Sequence, residues 1–540
     1  MCGAREPRQR QARFAAALKR VPHAPSNTNT SGRAGLKLSQ SWIIFPSILL
    51  VYLLFPTKNY YWDGVFFARV IEAAPALSSS LFHPNHLLYE VAGYLLYRCS
   101  RGVGLQWRAI EVLQVANSVV SVATAYVLYL ILRRKLRSNY LIWALTLIFA
   151  FSSTWWKFST DANAYIFSVF FLLLAFYFTL DAFKSRPIIA ALIFSIAILF
   201  HQLAVFSYPV LALALYWQSA SMPSGKRNLV VVQFCVISFL MVFTTYCCSF
   251  YLITGSLTPA RFARWIISYS PDASFSFDPL SNLGYSLRGN LRLFFNARLS
   301  LLRGLLSPVI IATLVVFATV VLLWFLSVIK QTNWRWPDTR KAFAKLKADQ
   351  LVLLSLVWIG LYLVFLFFWL PHNTFYRLFY LPAVILLGAS LLKQNHRDEV
   401  RPTWRLGLFV AVIGLFNFLF FIYPYSHIEK YPPLSLAVEM NRVWQPGTIV
   451  YFRADNSDNN LVAYFNPAIE WRALSGFDQI DTELKQLYAE GKSAWLEASA
   501  IDQLRSSPEG SDWLARHGRQ ETWRERKARG YNVKFIQVRP

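Results

Sequence analysis

The run "SWIIFPSILLVYLLF" (Ser41–Phe55) is followed almost at once by "YYWDGVFFARVIE" (Tyr60–Glu72). With its flanks the first run makes an apolar segment over about 39–56, close to the roughly 20 residues a helix needs to cross a bilayer. The second sets a bare carboxylate, Asp63, and a glycine among aromatic rings. A charge in or beside hydrocarbon is costly unless it has a partner or a task. If the first run spans, Asp63 emerges at a membrane surface, and the rest of the chain has to be read around that surface.

The composition agrees with a membrane reading. Of 540 residues, 55% are hydrophobic, 17% aromatic and 15% charged, and the mean hydropathy is +0.36. This is the multi-pass membrane class rather than a soluble globule. The net charge of +26 does not signal nucleic acid, because the basic residues sit in short clusters between apolar runs, where they orient spans. The five cysteines show no CxxC or metal spacing and no disulfide framework.

Spans are expected at about 39–56, 109–132, 139–155, 164–182, 187–201, 203–218, 229–252, 303–328, 350–370, 376–392 and 405–423, about 11 transmembrane helices in all. Residues 1–38 form a basic tail. "RRKLR" (Arg133–Arg137), "FKSRP" (Phe183–Pro187), "GKR" (Gly225–Arg227), Lys330–Lys347 and Lys393–Arg405 share the cytoplasmic side when eleven spans are counted. The N-terminus is then cytoplasmic, and outer loops fall at 57–108 and 253–302. "LFHPNHLLYEVAGYLLYRCSR" (Leu81–Arg101) contains Glu90 and is expected as an interfacial or re-entrant helix. Residues 424–540 are polar, with strand patterns at Thr448–Phe452, Ala468–Leu474, Ser493–Ser499 and Val533–Val538. Helical patterns alternate with them, so a small α/β extramembrane domain is expected there.

Under this topology the polar residues gather on one side. The first outer loop holds Asp63, His83 and His86. "STWWKFSTDANAY" (Ser153–Tyr165) holds Lys157, Asp161, Asn163 and Tyr165. His201 and Gln202 lie at a hairpin turn, and "WLPHNTFYRLF" (Trp369–Phe379) adds His372, Asn373 and Arg377. Loop 253–302 brings Asp272, Asp278 and five arginines, Arg261, Arg264, Arg288, Arg292 and Arg298, more than an outer loop usually carries, which suggests a bound anion. Each residue has a plain reading too. Asp-Gly is a common turn, a histidine at a helix end is commonly a hydrogen-bonded one, and Lys157 could be a snorkelling anchor beside Trp155 and Trp156. Their convergence from distant segments favours a site. Cations that hold a phosphate and a carboxylate that takes a hydroxyl proton suit transfer from a phosphate-bearing lipid.

The order of these motifs is Asp-Gly after the first span, a His-Pro helix, Trp-x(4–5)-acid-x-x-x-Tyr, then His-Gln at a later turn. It resembles the GT-C superfamily of polyprenyl-phosphate-sugar-dependent membrane glycosyltransferases. The nearest group contains bacterial membrane proteins of unassigned substrate and a eukaryotic O-mannosyltransferase acting on receptor ectodomains. Protein O-mannosyltransferases and the lipid A aminoarabinose transferase are more distant. The resemblance covers about Tyr60–Val210 and implies that Asp63 is the catalytic general base of an inverting, hexosyl- or mannosyl-type transfer. It places His83, Pro84 and His86 at the border of the site, and Asp161 on the acceptor or metal side.

His83, His86, Lys157, Asp161, Tyr165, His201, Gln202, His372 and Arg377 are the expected donor- and acceptor-binding residues. Gly64 is expected to let the backbone approach a ligand. No particular cofactor is indicated, and a divalent metal is left open. The expected partners are a polyprenyl-phosphate-linked sugar, a protein, glycan or lipid acceptor, and membrane lipids, but not nucleic acid. The expected location is the bacterial cytoplasmic membrane. The sequence departs from the usual pattern in having "WDG" and "HPNHLLYE". Two other classes compete: a lipid or solute transporter or flippase, which would carry ionisable residues near the midplane and internal repeats, and a non-catalytic scaffold, which would leave Asp63 and the histidines without a task.

Overall fold

The helix that opens the membrane region runs from Ser31 to Leu54 with Pro46 inside it. The computed structural model describes residues 31–180, 186–267, 275–298, 315, 319, 349–395, 404–427, 432–453, 457–474, 477–528 and 531–539. The expected span at 303–328, most of the basic tail and Asp272 lie outside the described residues.

The chain is a polytopic helical membrane protein. Among the described residues four helices are long and apolar enough to cross a membrane: Ala109–Lys135, Ser224–Thr254, Gln350–Phe368 and Leu406–Tyr425. A fifth comes from Asn139–Phe151 and Ser153–Ser159 taken together, bent by 64° at their junction. The stretches Ile43–Leu54, Tyr165–Thr179, Pro187–Phe200 and Leu381–Leu392 are apolar but shorter. The shorter helices fall on the expected runs near 43–54, 165–179, 187–200 and 381–392. Polar breaks divide several of them: Ser152–Ser153 produces the 64° bend, and His201 begins a 3₁₀ stretch, Gln202–Ser207, before Tyr208–Gln218. The segment after His83 forms a short 3₁₀ turn, Pro84–His86, and a helix of 14 residues, Tyr89–Gly102, below spanning length.

Ala109–Lys135 organises the loop end of the bundle. It begins in a capping box, with the Arg108 backbone N–H donating to Glu111 (2.9 Å), and ends on Arg133, Arg134 and Lys135, which complement the negative pole of its dipole. Its buried polar side chains reach irregular backbone that could not be left bare in an apolar setting. Gln114 donates to Thr57 O (2.8 Å) and Thr160 O (3.0 Å). Asn117 donates to Asp161 O (2.6 Å) and Asn163 O (2.9 Å), and Ser118 to Ser159 O (3.0 Å). Asn417 does the same from the opposite side, donating to Phe151 O (2.9 Å) and Phe294 O (2.7 Å).

Beyond residue 448 lies a five-stranded sheet, β1 (Ile449–Arg453), β2 (Glu470–Leu474), β3 (Ala494–Glu497), β4 (Gly518–Ala528) and β5 (Tyr531–Val538), in the order β2-β1-β3-β5-β4. β1 pairs in parallel with β2 and β3, and β5 runs antiparallel to β3 and β4. The alternation of β1 explains its central place: Ile449 and Tyr451 face one apolar cluster with Leu496, while Val450 faces another with Phe535. The charged strand "GRQETWRERKA" had no apolar pattern by which to be found. This part of the chain is tied to the first loop through Arg108, whose guanidinium donates to Glu72 (2.8–3.0 Å) and Tyr464 O (3.1 Å). The Tyr464 hydroxyl donates to Glu72 as well (2.8 Å).

Candidate active site

The helix Trp62–Ala73 carries Asp63 in its first turn, where a negative charge is favoured by the dipole. The reason for the neighbouring glycine is visible here. A Cβ on Gly64 would run into Ala162 O, so the helix can lie against the Ser153–Tyr165 segment only if this position is bare. The close approach expected at Gly64 is thus made by the protein's own backbone and not by a ligand.

That second segment is locked from within. Asp161 is fully buried. Its Oδ2 accepts from Lys157 Nζ and from the Tyr61 backbone N–H (2.8 Å), and its Oδ1 accepts from the Ala162 N–H (2.9 Å). Asp161 therefore fixes Tyr61, and through it the start of the helix bearing Asp63. Lys157 is itself buried and lies over the Phe158 ring, 4.5 Å from its centroid.

The Tyr61 side chain favours the charged form of Asp63, and its hydroxyl lies 3.1 Å from the Tyr165 hydroxyl. Burial pushes the Asp63 carboxyl above the usual carboxylate range, opposed by Tyr61. On the other side of Asp63 is a set of neutral histidines. The rings of His83 and His86 stack at 4.0 Å, and burial pushes His86 down to about 4 and His83 to about 2. His201 packs on Tyr165 (4.9 Å between centroids) and is likewise pushed down by burial. Gln202 donates to Pro84 O (2.9 Å), joining the hairpin turn to the His-Pro turn.

Two cavities flank this wall. The larger, about 580 Å³, is lined by Lys157, Arg292, Arg298 and His372, by Tyr60, Tyr61 and Trp62 before and beside Asp63, and by Pro433 and Leu461 from the C-terminal part. Among the described residues no Asp or Glu is in its lining. Burial, then repulsion by Arg288 and Arg298, holds the Arg292 guanidinium below its usual value, as expected where cations gather without a counter-charge. The hydroxyls of Ser153 and Thr154 both donate to Arg292 O (2.5 and 2.7 Å), which pins this arginine to the second loop. The smaller cavity, about 210 Å³, is lined by Asn85, His201, Gln202 and the aromatics Phe206, Phe365, Trp369 and Tyr376.

The structure thus brings together Asp63, His83, His86, Lys157, Asp161, Tyr165, His201 and Gln202, with His372 on the cavity rim. Arg377 stands apart. It is fully buried, donates to Tyr380 Oη (2.9 Å) and Pro371 O (2.8 Å), and lies so close to Gly289 that a Cβ there would strike its guanidinium. It lines neither cavity; its contacts hold the turn carrying His372 and Asn373. Of the five loop arginines, Arg292 and Arg298 reach the cavity. The supporting residues Gln114, Asn117 and Asn417 belong to no chemical motif; their signal is an amide inside an apolar run, since an amide in a span needs a partner. Among the described residues no three His, Cys, Asp or Glu side chains are grouped to hold a metal ion.

No family model matches the sequence, and no curated protein is similar to it. In fold the chain is similar to the crystal structure of ArnT from Cupriavidus metallidurans in the apo state, at 13% identity and a TM-score of 0.54, over 93% of this chain and 98% of that one. The crystal structure of the same protein bound to undecaprenyl phosphate matches at 12% identity and a TM-score of 0.53, over 92% of this chain and 98% of that one. The likeness is one of fold.

Proposed function

We propose that this protein is a membrane glycosyltransferase that moves a sugar from a polyprenyl-phosphate-linked donor to an acceptor hydroxyl, with Asp63 as general base. The observation that carries the reading is the large cavity rimmed by Lys157, Arg292 and Arg298, with no carboxylate among the described residues of its lining, at the start of the helix that carries Asp63. The GT-C architecture, and the binding of undecaprenyl phosphate by the ArnT neighbour, support the same choice of donor. In the reaction the acceptor oxygen bonds to the anomeric carbon as the bond from that carbon to the phosphate oxygen breaks. The electron pair leaves on the phosphate, whose growing charge the three cations stabilise. The acceptor's proton passes to Asp63, and attack from the face opposite the phosphate inverts the anomeric centre, in a hexosyl- or mannosyl-type transfer.

In this reading the cavity end of the helices is the outer face of a bacterial cytoplasmic membrane. The N-terminus is cytoplasmic, and residues 424–540 form a small domain that walls the cavity from outside. The acceptor is a protein, glycan or lipid hydroxyl. The test is release of undecaprenyl phosphate from undecaprenyl-phosphate hexoses by purified, equally stable wild-type and Asp63→Asn proteins. The variant is expected to lose about 10²- to 10⁴-fold in rate, the usual contribution of a general base. Near-normal transfer by Asp63→Asn refutes the assignment.

A further inference from the structure

Glu90 has no part in the reaction described above, yet it is placed with care. It is 1% exposed, in the first turn of Tyr89–Gly102. Among the described residues its ion-pair partner is no lysine or arginine but the imidazole of His86, whose Nδ1 lies 2.8 Å from Glu90 Oε2. His83 stacks on that imidazole within 5° of parallel, and the Phe67 ring meets it edge-on at 4.5 Å. Phe67 lies four residues after Asp63 on one helix, so the two side chains share a face. The ring packed on Phe67 therefore sits beside Asp63, whose charge acts on it. The titratable groups around His86 are thus Asp63 from one helix, His83 from its own turn, Tyr89 and Glu90 from the next helix and His201 from the hairpin turn.

Two ionised carboxylates around a buried neutral imidazole would be strongly unfavourable. A proton taken up by one of them removes the repulsion without placing a charge on the buried imidazole. The Tyr61 side chain favours the charged form of Asp63, whereas Glu90 is the more enclosed, and burial pushes its carboxyl well above the usual range. A protonated carboxyl group is a hydrogen-bond donor, and an imidazole that accepts on Nδ1 has its single hydrogen on Nε2.

We propose that Glu90 is a positioning residue: as a neutral carboxylic acid it donates to His86 Nδ1 and fixes the tautomer with hydrogen on Nε2. His86 is then kept neutral in one tautomer, a fixed dipole near the Asp63 carboxylate whose orientation bears on the base. The inference rests on the role given to Asp63, but its first readout does not.

Histidine-selective ¹⁵N spectra of the whole protein in nanodiscs, with His86 assigned through His86→Asn, report the tautomer directly. Wild type and Glu90→Gln, whose amide can also donate, are expected to show hydrogen on Nε2. Glu90→Leu is expected to show a mixture. In turnover Glu90→Gln should stay within about threefold of wild type. Glu90→Leu should fall about 10- to 100-fold in kcat with KM for the donor unchanged, the usual loss when the partner that orients an imidazole is removed. The proposal is overturned if wild-type His86 carries hydrogen on Nδ1, which would make Glu90 an ionised acceptor, or if Glu90→Gln falls as far as Glu90→Leu. Should Glu90→Leu not fold, the wild-type and Glu90→Gln spectra still decide. An active Asp63→Asn protein would remove the base assignment while leaving the tautomer result to stand on its own.

Discussion

Replacing Asp161 by Ala removes three hydrogen bonds at once and strands a buried ammonium. The Lys157 and Asp161 side chains are 9% and 0% exposed, so solvent cannot replace what is lost. Breaking a buried pair by deleting one partner costs about 3–5 kcal/mol. An independent sum gives a similar figure, since the bonds from the Tyr61 and Ala162 N–H groups go to a charged acceptor and contribute about 1.5–3 kcal/mol each. Lys157→Met leaves the carboxylate with its two N–H partners and is expected to cost about 3 kcal/mol. In Lys157→Met/Asp161→Asn no charge is buried and an acceptor oxygen remains, so the double variant should lose far less than the sum, with a coupling of about 2 kcal/mol or more. Unfolding of the purified protein in mixed micelles against SDS measures all four corners of the cycle. A second readout follows from Tyr61: because its N–H is held by Asp161, kcat should drop in Asp161→Ala beyond any loss of folded protein. Additive destabilisation, or a Asp161→Ala protein as stable as wild type, would refute the claim that this pair locks the loop against the helix bearing Asp63.

Arg292→Gln and Arg298→Gln should each weaken binding of undecaprenyl phosphate about 10- to 100-fold, the worth of one charge-assisted hydrogen bond of roughly 1.5–3 kcal/mol, and should flatten its salt dependence. Equal affinity by titration would show that the cavity does not hold the phosphate. A base must be ionised, and burial raises Asp63 above the ordinary carboxylate range. The rate kcat/KM should therefore climb with pH on a limb above that range, and Tyr61→Phe, which removes a hydroxyl favouring the charged form, should shift the limb to higher pH. An unmoved limb in Tyr61→Phe would exclude that role for Tyr61.

The sequence alone was enough for the class of molecule and for which polar groups gather together. A chain that is 55% hydrophobic, with basic clusters between apolar runs, has few places to put Asp63, His83, His86, Lys157, Asp161 and His201 other than one end of a helical bundle. Four of the five strands were legible because β1, β2, β3 and β5 carry apolar or β-branched residues, and β4 was not because its pattern is charged. What each polar group does was decided by tertiary structure. Arg377 and Arg292 look alike as exposed-loop arginines, but the first is enclosed by Pro371, Tyr380 and bare Gly289, while the second faces the cavity beside Lys157 and Arg298. Asp161 and Asp63 are both loop acids next to aromatics, yet one accepts from three protein groups and the other has Tyr61 on one side and a stack of neutral imidazoles on the other. Local sequence sets which groups reach the membrane surface. Whether a charge there meets a protein partner or is left for a ligand depends on what packs against it from elsewhere in the chain, because in a low-dielectric setting each burial has to be compensated by a particular neighbour.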